Sequence, residues 1–370
     1  MIKPKMLDNI QTQLTGRGHE ALVVYSAGIM SVLAPSYLHY VTGARPAGPQ
    51  AAVITHDGRA RLLVQPAWDV PRVAARTWIE DVRGSSDLAC DLLNTLKELA
   101  PSGRIGGAGL ADMPEPTYAV LEARGDIVSA NDVIEELALS KTPEELELIR
   151  KVSHIADAGF LAMLEHSRPG VREFELVAHI EYSMRVAGAD DIFILLSSGH
   201  HNYEMHEPTD RPLEKGDTII GEITPVKDGQ FIQLCRTVVL GKPKTALKTA
   251  YNMLLQAFQA SLAEVRPGVA GSMMSHAMNK VISAAGYGKF CSPPYMRARG
   301  HGFGVGSIAP GGVIDDETTK HFACHQVIVV HPNQYLEHTG YLACGETVLV
   351  TAHGCERLAQ TKTRLYSVGV

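Results

Sequence analysis

Short apolar runs separated by polar turns fill the first third of the chain. Residues 21–25 and 51–54 have the length and composition of buried strands, and a His-Asp-Gly turn separates the second run from another at 59–64. In residues 87–99 the apolar side chains instead recur at helical spacing. This alternation predicts a small α/β domain over residues 1–138.

A long amphipathic helix is predicted to open a second domain over residues 139–370. Thr142 suits the position before a helix, Pro143 suits its first position, and Glu145 can close a capping box with Thr142. Apolar side chains then recur at helical spacing as far as Met163. The start of this helix therefore predicts the domain boundary.

The second domain contains an internal repeat. An Arg-Pro-Gly-Val sequence at 168–171 precedes a helical stretch that ends at Gly188, and the same sequence at 266–269 precedes one that ends at Gly286. Strand-like runs follow at 191–196, 218–224, 231–240, 326–330 and 347–351. We predict an α+β domain of two pseudo-twofold helix–helix–strand units on a curved antiparallel sheet, with a site on its open face. Chance recurrence of a helix-stop sequence is the alternative.

The composition excludes several classes of partner. The 370 residues are 45% hydrophobic and 20% charged, and the net charge of −6 disfavours nucleic acid. No window approaches the roughly 18 apolar residues of a transmembrane helix. The six cysteines show no C-x-x-C spacing, as expected of reduced thiols. We expect a cytoplasmic protein that binds neither nucleic acid nor membranes.

Motifs in residues 140–360 resemble those of the family that contains methionine aminopeptidases, prolidases, creatinase and ectoine hydrolase. They stand in the family's order at 141–150, 198–199 with 206–211, 216–217, 235–237, 300–304 and 347–351, and residues 37–43 add a weaker match in the N-terminal domain. The resemblance implies the family's "pita-bread" fold and a homodimer that acts on a small-molecule substrate.

The metal site of the family's peptidases is altered in this sequence. The resemblance implies two divalent ions held by two Asp, one His and two Glu, at positions occupied here by Glu222, Gln233, His301, His331 and Gly345. A second active-site His is replaced by Ile308. Glycine and isoleucine offer no side-chain donor, and neutral glutamine is a poor ligand for a hard divalent ion. We therefore expect no metal. The alternative is a zinc, manganese or iron ion held by Glu222, His301 and His331.

Within that family, this sequence most resembles creatinase and ectoine hydrolase in its altered metal site, because those two enzymes work without metals. The creatinase catalytic His matches His206, a substrate-binding Glu falls on Cys235, and an aromatic residue falls on Phe231. A later Glu and His fall on His331 and Glu346, in exchanged order. The resemblance therefore implies that a His–carboxylate pair persists at these last two positions.

Histidine chemistry follows from this set, because imidazole both takes and gives a proton near pH 7. His206 is the predicted base, although its turn-like surroundings also suit a surface histidine. His301 lies among glycines that allow close approach of a ligand, and we predict that it is a catalytic residue rather than a core histidine. His331 and Glu346 form the second predicted catalytic pair, and two unrelated strand residues are the alternative.

Other side chains are predicted to bind substrate. Arg45 and Arg299, or Arg297 in place of the latter, could pair with a carboxylate. The remaining predicted binding residues are Glu222, Phe231, Gln233 and Cys235. The cysteine could instead be a nucleophile or a buried apolar residue.

Taken together, the sequence predicts a hydrolase that cleaves a C–N bond in a small nitrogen-rich carboxylate by histidine acid–base catalysis, without a cofactor. A metal-dependent Xaa-Pro dipeptidase or aminopeptidase with a rewired site is the second interpretation. A catalytically inactive binding protein of the same fold is the third.

Overall fold

The computed structural model describes residues 3–28 and 36–369. The chain divides into two compact units, Met1–Ala138 and Leu139–Val370. The helices of the first unit are α1 (Lys3–Arg17), α2 (Tyr37–Thr42), α3 (Val70–Ala74), α4 (Leu88–Leu99), α5 (Glu115–Arg124) and α6 (Asn131–Leu139). Its strands are β1 (His19–Ser26), β2 (Gln50–Thr55), β3 (Ala60–Val64), β4 (Asp81–Gly84), β5 (Arg104–Ala108) and β6 (Ile127–Ser129).

The strands of the first unit form one mixed sheet in the order β4-β3-β2-β1-β5-β6. The central strands β1 and β2 are antiparallel, whereas β1 runs parallel to β5. Leu92 and Leu96 of α4 pack in the same core cluster as Val23 and Val53 of the sheet. The predicted α/β character of this part of the chain is confirmed.

Four long helices belong to the second unit: α7 (Pro143–His166), α8 (Glu173–Val186), α9 (Thr245–Leu262) and α10 (Gly271–Ile282). The start of α7 is as predicted. The Thr142 backbone N–H donates to Glu145 Oε2 at 2.8 Å, and the Glu145 N–H donates to Thr142 Oγ1 at 3.3 Å. This capping box pairs two of the backbone donors that a helix leaves unsatisfied at its start.

The second unit contains a ten-stranded sheet and a small hairpin. Its strands are β7 (Asp191–Gly199), β8 (Thr218–Lys227), β9 (Gln230–Phe231), β10 (Leu234–Leu240), β11 (Gly300–Gly302), β12 (Val313–Ile314), β13 (Val327–Val330), β14 (Asn333–Leu336), β15 (Gly340–Ala343), β16 (Gly345–Thr351), β17 (Gly354–Arg357) and β18 (Tyr366–Val368). The main path is β12-β11-β13-β16-β10-β8-β7, antiparallel throughout, and β14 pairs with β15 apart from it. The predicted fold class, with its curved antiparallel sheet, is confirmed.

The internal repeat is visible in the backbone. Helices α7 and α8 precede β7, and α9 and α10 precede β11. Gly170 and Gly268 have φ angles of 89° and 80°, and Gly188 and Gly286 have 105° and 92°. Since these values lie in the left-handed region that glycine tolerates, each helix pair needs glycine at the same two turns.

The predicted strand over residues 231–240 is divided. Phe231 ends β9, which pairs with the end of β8, and β10 begins only at Leu234. Between them the Gln233 backbone N–H donates to the Thr347 hydroxyl at 2.9 Å, so a side chain replaces a ladder bond there. None of the helices within residues 3–28 and 36–369 combines the length and apolar character needed to cross a membrane.

Candidate active site

Strand register decides which side chains share a face of the large sheet. Cys235 on β10 pairs with Glu222 on β8 and with Gly345 on β16. Residues that pair directly across strands point to the same side. We call this side the inner face. The opposite side is the helix face, because its Val330 packs in one core cluster with residues of α9 and α10.

Two histidines meet on the inner face. His301 on β11 pairs with Val329, so its side chain lies opposite to that of Val330, and His331 follows Val330 directly. The two imidazole rings pack edge to face with centroids 5.4 Å apart. Phe303 packs against His301 at 4.8 Å, and Asn333 Nδ2 lies 3.3 Å from His331 Nδ1. The structure therefore brings together two of the predicted catalytic residues.

Burial keeps both imidazoles neutral at physiological pH. It lowers the pKa of His301 to about 4. Burial, together with the neighbouring His301, lowers the pKa of His331 to about 3. A neutral imidazole offers one N–H donor and one nitrogen lone pair, which suits it to bind a water molecule or a metal ion.

Glu346 does not belong to this group, and the prediction of a His331–Glu346 pair is wrong. Glu346 pairs with Leu234 and Val330, so its carboxylate lies on the helix face. There it accepts a hydrogen bond from Arg236 at 2.7 Å and another from Arg357. Burial would raise the pKa of Glu346, but its hydrogen bond from Arg357 and the two positive charges lower it. This carboxylate is therefore a buried structural ion-pair partner.

Gly345 closes the neighbouring position on the inner face. Its φ angle is 145°, in the range that side chains rarely adopt, and an added Cβ would overlap the Val330 carbonyl oxygen and lie 2.5 Å from His331 Cα. No side chain fits at this position without a backbone shift. The resemblance placed the last metal-binding Glu here, so the backbone around His331 occupies the space of that ligand.

The other metal positions also depart from a two-ion site. Gln233 is buried, and its Oε1 atom has no hydrogen-bond partner among the residues that the structure describes. Across residues 3–28 and 36–369, no three His, Cys, Asp or Glu side chains converge as a metal-binding group. Glu222 therefore does not complete a three-ligand set with the two histidines. The side chains present do not fit a two-ion centre.

Arg299 is not available to substrate, which corrects a second prediction. Its guanidinium is fully buried and donates to Asn279 Oδ1, the Asn333 carbonyl and Gln334 Oε1. Arg297, two residues earlier on the chain, is exposed. Its Nη2 donates to the Met205 carbonyl at 2.8 Å. Burial raises the pKa of Glu222, and the positive charge of Arg297 offsets only part of that rise. Of the two arginines that the sequence offered, Arg297 faces the site.

His206 lies on the loop that Arg297 contacts. It is half-buried, and its carbonyl accepts a hydrogen bond from the Leu196 backbone N–H at 3.0 Å. The His206 Nδ1 atom lies 2.6 Å from the Glu207 carbonyl oxygen. Because a carbonyl only accepts, Nδ1 carries the proton and Nε2 is left with its lone pair.

The remaining predicted binding residues are two buried apolar side chains of the second unit and one arginine of the first unit. Cys235 is fully buried, and burial raises the pKa of its thiol well above the usual value, so it is a poor nucleophile. Phe231 is buried and its ring stacks on Phe303 at 6.5 Å. Arg45 lies in the first unit, where its carbonyl accepts a hydrogen bond from Arg72. Its role in substrate binding stays a prediction.

Sequence reasoning missed the contribution of the β14–β15 hairpin. Tyr341 of β15 is buried in one apolar cluster with Cys235 and Met205, and Tyr335 of β14 packs against that cluster. The Tyr341 hydroxyl is buried, yet no described residue forms a hydrogen bond with it. The hairpin sequence carries no motif that would have indicated its position, since only the fold brings it to the inner face.

Comparisons with known proteins agree on one family. The model of metallopeptidase family M24 matches residues 147–352. The Xaa-Pro dipeptidase of Pyrococcus furiosus is 25% identical over 335 residues, which cover 90% of this chain and 93% of that protein. Among solved structures, the prolidase of Thermococcus sibiricus superposes with a TM-score of 0.87 at 22% identity over the full length of both chains. The X-Pro aminopeptidase of Thermotoga maritima superposes with a TM-score of 0.86 at 22% identity, and the match covers 98% of this chain and 99% of that protein.

Two predictions change with these findings. The expectation that no cofactor takes part is wrong, because the matching family consists of metallopeptidases. The expected closeness to creatinase and ectoine hydrolase gains no support, since the relatives described above are Xaa-Pro peptidases. The predicted pita-bread fold and the hydrolase class are confirmed.

Proposed function

The chain belongs to metallopeptidase family M24, and we propose that it hydrolyses the C–N bond of a short peptide of the Xaa-Pro type at a rearranged metal site. The observation that carries the proposal is the pair of neutral imidazoles on the inner face, whose ring centroids are 5.4 Å apart. Both histidines lie inside the region that matches the family. The similarity to an Xaa-Pro dipeptidase over nine-tenths of the chain supports the substrate class.

The donors that remain at the site fit one divalent ion better than two. His301 and His331 would hold it, because metal ligands must be deprotonated and both imidazoles are neutral at pH 7. Such an ion supplies Lewis-acid polarisation of the scissile carbonyl and a more acidic water. Two protein ligands form an incomplete set compared with the three of typical catalytic zinc sites, so the ion should bind weakly.

The side chains around the imidazoles have separate roles in this proposal. Arg297 presents an exposed guanidinium with donors left over after its bond to Met205, and a bidentate pair with a substrate carboxylate would orient the peptide. His206 Nε2 has a free lone pair and takes the proton that water loses, then returns it to the leaving nitrogen. Cys235 and Phe231 shape the apolar wall.

A substrate panel with matched variants tests the proposal. Ala-Pro, Gly-Pro and Ala-Ala dipeptides are incubated with chelator-treated protein and with protein supplied with Zn²⁺, Mn²⁺ or Fe²⁺. We expect hydrolysis of an Xaa-Pro dipeptide that requires an added ion and falls at least 100-fold in kcat for His301→Ala and His331→Ala. His154→Ala, an exposed histidine on α7, is the control and should leave kcat unchanged. Full activity of either site variant would contradict the proposal.

Two further features stay predictions. The cytoplasmic location rests on the six cysteines, which are all unpaired in the structure. The homodimer rests on the family resemblance, and sedimentation of the purified protein tests it.

A further inference from the structure

Glu222 is a buried carboxylate that forms no ion pair with any described residue, although the positive charge of Arg297 acts on it from beyond ion-pair distance. The residue is 7% exposed, and no hydrogen bond or ion pair reaches its carboxylate oxygens within the part of the chain that the structure describes. Its cross-strand neighbours are Leu195 and Cys235, which cannot neutralise a charge. A buried ion of this kind costs several kcal/mol unless a partner is supplied. A ligand that brings the missing positive charge would remove this cost.

Two further buried polar atoms lack hydrogen-bond partners within the described part of the chain. Among the described residues, no donor reaches the buried Oε1 of Gln233, two residues before Cys235 on the chain, and the buried hydroxyl of Tyr341 has no partner there either. Tyr341 lies in the same apolar cluster as Cys235, the cross-strand neighbour of Glu222. A carboxylate and an amide oxygen both accept hydrogen bonds, so this group lacks N–H donors.

Aromatic rings begin beside the same cluster and continue to the surface. We call His201, Tyr203, Tyr295 and Tyr335 the aromatic rim. Tyr335 packs against the Cys235 cluster, and its ring lies 5.7 Å from His201 and 6.1 Å from each of the other two. Tyr203 is 74% exposed although it is a large apolar ring. Exposed aromatic faces attract organic cations.

We propose that Glu222, with Gln233 and Tyr341, binds the cationic N–H group of the substrate, an ammonium or amidinium, and that the aromatic rim guides it there. The inference rests on the proposed function, because it names the end of the substrate opposite to the carboxylate that Arg297 holds. It makes the substrate a zwitterion. A peptide with a blocked amino terminus lacks the charge and should bind poorly.

A metal cation in place of the organic one is disfavoured by the surroundings. Glu222 is not part of any group of three His, Cys, Asp or Glu that could hold an ion, as judged on residues 3–28 and 36–369. Aromatic faces and a lone carboxylate suit a soft organic cation, whereas hard ions require several oxygen ligands.

Binding of benzamidinium, measured by calorimetry on chelator-treated full-length protein, tests the inference without turnover. We expect saturable binding to wild type, at least 10-fold weaker binding to Glu222→Gln, and about 3-fold weaker binding to Tyr203→Ala. Benzamide, the neutral isostere, should bind weakly to all three. Glu204→Gln and Tyr182→Ala, which change exposed residues of the same types, should bind like wild type.

Equal affinity of wild type and Glu222→Gln for benzamidinium would overturn the inference, as would no binding to wild type. If Glu222→Gln does not fold, Tyr341→Phe gives the same test, because it removes only the unpartnered hydroxyl and should weaken binding about 3-fold. The proposed function fails separately, through absent hydrolysis of dipeptides by protein that binds benzamidinium normally.

Discussion

The buried imidazole of His331 predicts a specific loss of stability in acid. Its pKa is about 3 in the folded protein, against 6.5 for an unperturbed imidazole. Below pH 6.5 the unfolded chain therefore binds a proton at this residue that the folded chain does not bind. The stability contributed by the neutral imidazole is complete above pH 6.5 and is lost progressively as the pH falls toward 3. At pH 5 the loss from this one residue is about 2 kcal/mol, a large part of a typical folding free energy.

A comparison of two proteins isolates that contribution. Urea unfolding of chelator-treated wild type and His331→Gln is followed by circular dichroism at pH 8 and at pH 5. All other titrating groups contribute to both proteins, so their effects cancel in the difference. We expect wild type to lose about 2 kcal/mol more between the two pH values than the variant does. Equal losses would show that His331 is not a buried neutral imidazole and would refute the assignment.

Three further predictions concern Gly345, Glu346 and the cysteines. Gly345→Ala should destabilise the protein by about 3 kcal/mol in urea unfolding, because the new Cβ overlaps the backbone before His331. A variant as stable as wild type would show that a side chain does fit at position 345. Glu346→Gln should cost about 3–5 kcal/mol in the same assay, since it leaves two arginines without their buried partner, whereas a purely catalytic residue would change activity and not stability. In a maleimide time course Cys90 should react first and Cys235 only after unfolding, and early labelling of Cys235 would show a reactive thiol.

Most of the fold could be predicted from local sequence patterns. The capping box at Thr142, the helical periodicity behind it and the repeated glycines are each fixed by short-range chemistry, and each appears in the structure. The strand predicted over residues 231–240 was wrong at one place, because a side chain of β16 replaces a backbone bond beside Gln233. Nothing in the local sequence indicates a bond to a residue so distant in the chain.

The site was predicted less well, and strand alternation explains the errors. Gly345 and Glu346 are adjacent on one strand, so only one of them can face the inner side. The family resemblance set Glu346 beside His331, whereas the register places its carboxylate on the helix face between Arg236 and Arg357. Choosing between Arg297 and Arg299 needed the tertiary partners of each guanidinium, which the sequence does not contain.

Dipeptide hydrolysis by single-histidine variants tests the central claim most directly, namely that His301 and His331 together form the reacting centre. Initial rates on the best Xaa-Pro substrate are compared for wild type, His301→Ala, His331→Ala and the double variant, each confirmed as folded. Because residues that act as a unit are not additive, either single variant should lose nearly as much activity as the double, at least 100-fold. Losses that multiply, or a single variant with wild-type rates, would contradict the claim.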